Sequence, residues 1–290
     1  MSKKCLFISI IAIIACVIVV GITVPIVVLK KHSHSNGPPL PPTNVSIVLP
    51  LYIYPGSNAW NRFYDKLENH SYSGIHWTVI INPSNGPGDK LQADYSGNLH
   101  RLKAVPNVDT VGYVFTGYGS RRIADVEADV AEYASWNLLN GIFFDETPQG
   151  NNQSSMDAIS YLTNITTNVR NTKGFLGPES VVVHNPGTPA LASELLGLGQ
   201  NFTIIVEDTL DALQSTIDQQ GISRLSKNTG RGELGCLIHS VPDSTELGNL
   251  IAKLSLSFGS IFLTDRTSDY YNDYGGSWDD FINSTSLMYS

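Results

Sequence analysis

Residues 141–148 read Gly-Ile-Phe-Phe-Asp-Glu-Thr-Pro, GIFFDETP: one small and three apolar residues run straight into two adjacent carboxylates and stop at a proline. An apolar run this short predicts a strand buried on both faces, as in a parallel sheet. A carboxylate at its end is costly to bury unless it is paired, hydrogen-bonded or open to a cleft. The stretch therefore reads as a core strand delivering Asp145 and Glu146 to the edge of a sheet.

Seven other runs share its character: SIVLPLYIYP from Ser46, WTVIINP from Trp77, TVGYVFTGYG from Thr110, SVVVHNPG from Ser180, FTIIVEDT from Phe202, ELGCLIHSVP from Glu233 and SIFLTDR from Ser260. Helical patterns separate them. In RRIADVEADVAEYASW the residues Ile123, Val126, Val130 and Tyr133 share one face. In DSTELGNLIAKLSLSF the apolar residues keep helical spacing, and Asp243 with Glu246 predicts a capping box. NAWNRFYDKLEN, YSGNLHRLKAV, SMDAISYLTNITTNVRNT and TLDALQSTIDQQG predict further helices, and TPALASELLGLGQ a short connector. Successive runs start 22 to 39 residues apart, the repeat of a βα unit. Eight units predict an α/β fold, a (β/α)8 TIM-type barrel over residues 46–290. The rival is a doubly wound open sheet, but YPGSNAW after the first run is not a glycine-rich phosphate loop.

The N-terminal segment differs. Residues 5–29 hold no charge over 25 residues, enough for a tilted helix to cross a bilayer core of about 30 Å. Such a run is too long for the apolar region of an ordinary signal peptide and lacks a small-x-small cleavage site. It predicts a retained transmembrane signal anchor after a cytoplasmic tail, 1–4, and before a polar, proline-rich stalk, 30–45. All six N-glycosylation sequons, at Asn44, Asn69, Asn152, Asn164, Asn201 and Asn283, follow the apolar segment. The expectation is a single-pass type II protein with the barrel outside the cell membrane, or a secreted one if the segment is cleaved. Cys5 and Cys16 lie in the anchor, so Cys236 stands alone in the barrel and no intrachain disulfide is expected there. From residue 44 onward 14 Lys and Arg face 26 Asp and Glu, a net charge of −12, which excludes a nucleic-acid partner and suits a neutral or cationic one.

Barrels of this type carry their chemistry at the carboxyl ends of the strands. The candidates there are Tyr54, Asn82, Tyr113, Asp145, Glu146, His184, Asn185, Glu207, His239 and Asp265, with Tyr271 in the following SDYYNDYGGSW loop. Taken alone, each acid pair also reads as one solvated carboxylate and one helix cap, with Asp208 capping TLDALQ. Acids closing both strand four and strand six change the balance, because those ends face one another across a narrow mouth. Two close carboxylates divide into a proton donor and a nucleophile or base, the requirement of glycosidic bond cleavage. His184 and His239 lack metal-ligand spacing, so neither a metal nor another cofactor is expected. The tyrosine-rich loop suits sugar faces.

In order, LPLYIYPGSNAW, VIINPSNGPG, LKAVPNVDTVGYVFTGYGSR, DVEADVAEYASW and GIFFDETP resemble the spherulation-specific, spherulin-four-like family, over about residues 47–280. The resemblance implies a (β/α)8 barrel and kinship with glycoside hydrolase family 135, whose characterised members cut α-1,4-linked N-acetylgalactosamine in a fungal polysaccharide. It places the family's acid pair on Asp145 and Glu146 and its third acid on Glu207. Glu146 is then expected as general acid, Glu207 as nucleophile or base and Asp145 as the group tuning its neighbour, with roles open to exchange or to attack by the sugar's own N-acetyl group. Asn82, Tyr113, His184 and Asn185 are expected to line the subsites. The implied partner is an amino-sugar polysaccharide. The alternative is a non-catalytic glycan-binding surface or cell-wall protein.

Overall fold

The computed structural model describes residues 44–150, 155–189 and 193–289. The expected tail, membrane anchor and most of the stalk, and the sequon at Asn152, lie outside the described residues. Among those described, no helix is long and apolar enough to cross a membrane.

Eight parallel strands close into a barrel in chain order: β1 (Ser46–Leu51), β2 (Trp77–Ile81), β3 (Val108–Phe115), β4 (Gly141–Asp145), β5 (Val181–Asn185), β6 (Phe202–Thr209), β7 (Leu234–His239) and β8 (Ser260–Leu263). The helices outside it are α1 (Asn61–Leu67), α2 (Ala93–Lys103), α3 (Ile123–Ser135), α4 (Ser155–Asn171), α5 (Leu210–Ser215), α6 (Gln219–Thr229), α7 (Leu247–Leu254) and α8 (Trp278–Ser286). The predicted barrel is the observed one. Every residue of β2, β5 and β8 is buried, as strands enclosed on both faces require. Pro50 is tolerated inside β1 although it has no N–H to donate. Its neighbours alternate between β2 and β8, and the β1/β8 ladder ends at Ile47, so the missing donor faces a side already unpaired. At Gly141, where β4 begins, an added Cβ would stand 1.8 Å from the Val181 carbonyl oxygen, which is why GIFFD starts with glycine.

Three local expectations are corrected. TLDALQSTIDQQG forms two helices, because Asp218 accepts from the Gly221 N–H at 2.8 Å and starts α6 afresh. The Asp243–Glu246 capping box does not form: α7 begins at Leu247, with Glu246 at its N-cap and no side-chain cap bond. Asp208 does not cap α5; the Thr209 hydroxyl does, accepting from the Ala212 N–H at 2.9 Å. TPALASELLGLGQ contributes one short 3-10 turn, Ser193–Leu195.

Two backbone irregularities set the mouth. Between β6 and β7 the register slips at Ile204/Val206, a bulge one step before Glu207 that re-aims the side chains beyond it. At the end of β4 the alternation of a strand would send Glu146 to the face opposite Asp145. Glu146 instead takes a left-handed conformation with φ 49°.

Candidate active site

Asn185 is the centre of the site. Its register partner in β4 is Asp145, so both side chains enter the mouth from adjacent strands. The Asn185 amide nitrogen donates to Asp145 Oδ1 at 2.7 Å and to Glu207 Oε2 at 2.6 Å. Both acids bond the end of the amide that carries protons, which lets both accept as carboxylates. Two such bonds from one nitrogen bring one oxygen of each acid within about 5 Å of the other, close enough for the pair to act on one glycosidic bond.

The outer oxygens are also held. The Tyr113 hydroxyl donates to Asp145 Oδ2 at 2.8 Å, and the Tyr271 hydroxyl donates to Glu207 Oε1 at 2.6 Å. Burial, followed by repulsion from Glu207, pushes the Asp145 pKa up to about 6. Burial and the negative neighbours push the Tyr113 and Tyr271 phenols up, so both remain donors. Glu146 is more open, and burial together with Asp145 raises its pKa. No hydrogen-bond partner holds its carboxyl among the described residues, whereas its carbonyl oxygen accepts from the Thr116 hydroxyl at 2.7 Å and the Tyr118 N–H at 2.5 Å. Tyr118 is itself left-handed at φ 55° and half exposed. Two strained residues thus lock onto each other at the lip of the mouth, a placement that favours function over stability.

The remaining candidates fall elsewhere. His184 does not line a subsite. It is one residue out of phase with Asn185, fully buried behind the sheet, and bonds the Thr166 hydroxyl of α4 at 2.9 Å. Burial pushes its pKa down to about 3. Asp265 ties the following loop: it accepts from the Gly276 N–H at 3.0 Å and the Ser277 hydroxyl at 3.3 Å. Asn82 likewise holds its own loop, accepting from the Gly86 N–H at 2.9 Å. Tyr54 is exposed on the rim and donates to Asp94 of α2 at 2.7 Å, away from the acids. His239 stacks on Tyr270 at 3.7 Å, one ring removed from Tyr271. The described sequon residues Asn44, Asn69, Asn164, Asn201 and Asn283 are all exposed. No group of three or more described His, Cys, Asp or Glu side chains is arranged to hold a metal ion.

Tyr52 belongs to the site and was not among the candidates. Its ring stands edge-on to Tyr113 at 5.7 Å and to Tyr271 at 5.4 Å, linking the two tyrosines that hold the acids. The only signal in the sequence is its place just past the end of β1, where it looks like one more core aromatic.

The fold and site together define a closed parallel (β/α)8 barrel whose mouth gathers three carboxylates and three tyrosines. Residues 46–285 match spherulation-specific family 4, Spherulin4, and the chain belongs to that family. It is 30% identical to spherulin-4 of Physarum polycephalum over 219 residues, which is 70% of this chain and 61% of the relative's length. Among solved structures it resembles Sph3 of Aspergillus clavatus, determined in complex with GalNAc. The two share 34% identity and a TM-score of 0.76, over 84% of this chain and 98% of that one.

Proposed function

We propose that the chain is a glycoside hydrolase that cuts an amino-sugar polysaccharide internally, resembling an endo-α-1,4-N-acetylgalactosaminidase. The observation that carries the reading is the single Asn185 nitrogen that donates to both Asp145 and Glu207 at the mouth. The likeness to a protein solved with GalNAc supports the sugar class.

Of this pair, Asp145 is the proton carrier, with a pKa near that of a working general acid. In this reading Asp145, rather than Glu146, is the general acid. Glu207, fixed at both oxygens, attacks the anomeric carbon as the glycosidic C–O bond breaks and the Asp145 proton passes to the leaving oxygen. Asp145 then takes a proton from water, whose oxygen displaces Glu207 and restores both groups. Glu146, open and with no hydrogen-bond partner for its carboxyl among the described residues, meets the substrate at the lip.

The test is hydrolysis of N-acetylgalactosamine-containing polymers by the purified barrel. Glu207→Gln is expected to lower turnover by about 10²- to 10⁴-fold. Asp145→Asn should fall as far on the polymer, but far less on an aryl glycoside whose leaving group needs no proton. Polymer binding without turnover, unchanged by Glu207→Gln, would leave a glycan-binding protein instead.

The uncharged residues 5–29 and the sequons that follow support display of the barrel outside the cell membrane. Protease added to intact cells should remove the barrel, and release of the whole chain by carbonate washing would defeat the anchor.

A further inference from the structure

Tyr52, Tyr113, Asp145, Asn185, Glu207 and Tyr271 form a closed ring around the mouth. Tyr113 donates to Asp145, Asn185 to both acids and Tyr271 to Glu207, while Tyr52 completes the circuit through two edge-on ring contacts at 81°. Its backbone is pinned as well, with the Tyr52 N–H donating to the Tyr271 carbonyl at 3.1 Å. Every side-chain donor of the ring is therefore committed to a carboxylate except one. The Tyr52 hydroxyl has no partner among the described residues, and it is not among their sealed-off polar atoms either. Tyr52 is packed edge-on between two rings yet remains partly exposed, and its hydroxyl is not sealed off.

We infer that the Tyr52 hydroxyl is the specificity-determining donor of the site, reserved for the carbonyl oxygen of a substrate's N-acetyl group. This rests on the glycoside hydrolase reading above and names the feature of the sugar that the site selects. An acetamido group carries one acceptor, the C=O, and one donor, the N–H. The mouth offers the complement: one free donor on Tyr52 beside the carboxylate acceptor of Glu207. A free amine, protonated at neutral pH, has only donors, so it satisfies the acids and leaves Tyr52 unmatched. A carboxylate-bearing sugar would accept from Tyr52 but be repelled by three acids. The phenol stays protonated because burial and the two nearby acids push its pKa upward.

The test compares Tyr52→Phe with the unaltered protein on N-acetylated galactosamine oligomers and on the same oligomers after de-N-acetylation. The substitution keeps both edge-on contacts and removes one oxygen, so the melting temperature should be unchanged. The expected result is about a tenfold loss of kcat/KM on the N-acetylated oligomer, the value of one neutral hydrogen bond, and less than a twofold change on the free-amine one. An equal loss on both, or a loss on neither, overturns the inference. Calorimetric binding of N-acetylgalactosamine and galactosamine separates it from the hydrolase reading. A preference for the acetylated sugar that vanishes in Tyr52→Phe upholds the inference even if no polymer is cut. Turnover without that preference upholds only the hydrolase.

Discussion

Strands β4 and β5 lie side by side in register; β5 ends in two polar residues and β4 in one with a second directly after it, yet the two pairs do different things. In β5 the strand alternation is obeyed: Asn185 enters the mouth and joins the acids, while His184 turns behind the sheet to Thr166. In β4 it is broken: Asp145 enters the mouth, and Glu146, which alternation would have sent outward, is held at the lip by a left-handed backbone. A polar residue at a strand end becomes part of a site through its phase, or through a local departure from phase. Chemical type decides less: histidine, the commonest acid–base residue, is the one excluded here.

The sharpest way to break this comparison is to substitute the two β5 residues separately. Asn185→Leu removes the nitrogen that spaces Asp145 from Glu207, and displaced reacting groups cost about 10²-fold in rate. Unbridged, the acids repel more strongly, so the Asp145 pKa should rise above about 6 and the alkaline limb of the rate profile should move up with it. His184→Leu, one residue away, should leave kcat/KM within about twofold, because that ring reaches no reacting group. Rate profiles of the two variants check both statements, and a large loss in His184→Leu would return it to the site.

The same neighbours should oppose one another in stability against pH. The His184 pKa lies at about 3 in the folded chain, below its ordinary 6.5. Its contribution is complete above 6.5 and is lost as pH falls toward 3, on the order of 4 kcal/mol in all. Asp145 is shifted upward, from 3.8 to about 6. Its contribution is present below 3.8 and is lost as pH rises through 6, so at pH 7 the ionised group destabilises by roughly 2 kcal/mol after allowance for its partial exposure. Denaturant unfolding from pH 4 to 8 should therefore show Asp145→Asn more stable than the parent at pH 7 and no more stable at pH 4. His184→Leu should lose less stability on acidification than the parent does. A parallel response of the two variants would mean that burial does not divide the pair in this way.

Eight apolar runs at βα spacing, several ending in acids, were legible because burial of both faces leaves an unbroken apolar pattern and a mouth needs polar ends. The pairing of Asp145 with Glu207 through Asn185 was legible only as an expected convergence. Hidden from the sequence were the bulge before Glu207 and the left-handed turn at Glu146, since nothing in IIVED or FFDET marks an extra residue or a positive φ. Tyr52 was hidden for another reason: a tyrosine packed between tyrosines resembles core until its hydroxyl is found without a partner among the described residues.

The smallest expected effect extends the comparison to a second acidic strand end, β6, where Glu207, Asp208 and Thr209 succeed one another. Glu207 is in the mouth, Asp208 turns back on the adjacent N–H of Thr209 at 2.7 Å, and Thr209 caps α5. A bond to the next residue's own N–H closes a tight local ring and adds little that water would not supply, whereas a cap satisfies a helix donor otherwise left without a partner. Thr209→Ala should cost about 1 kcal/mol in denaturant unfolding, and Asp208→Ala less than about 0.5 kcal/mol. Asp208 is the acid that the sequence pattern would have chosen as the cap, so a larger loss in Asp208→Ala than in Thr209→Ala would reverse the assignment. Equal activity of both variants would confine the chemistry of this strand end to Glu207, in keeping with the rule of phase drawn from β4 and β5.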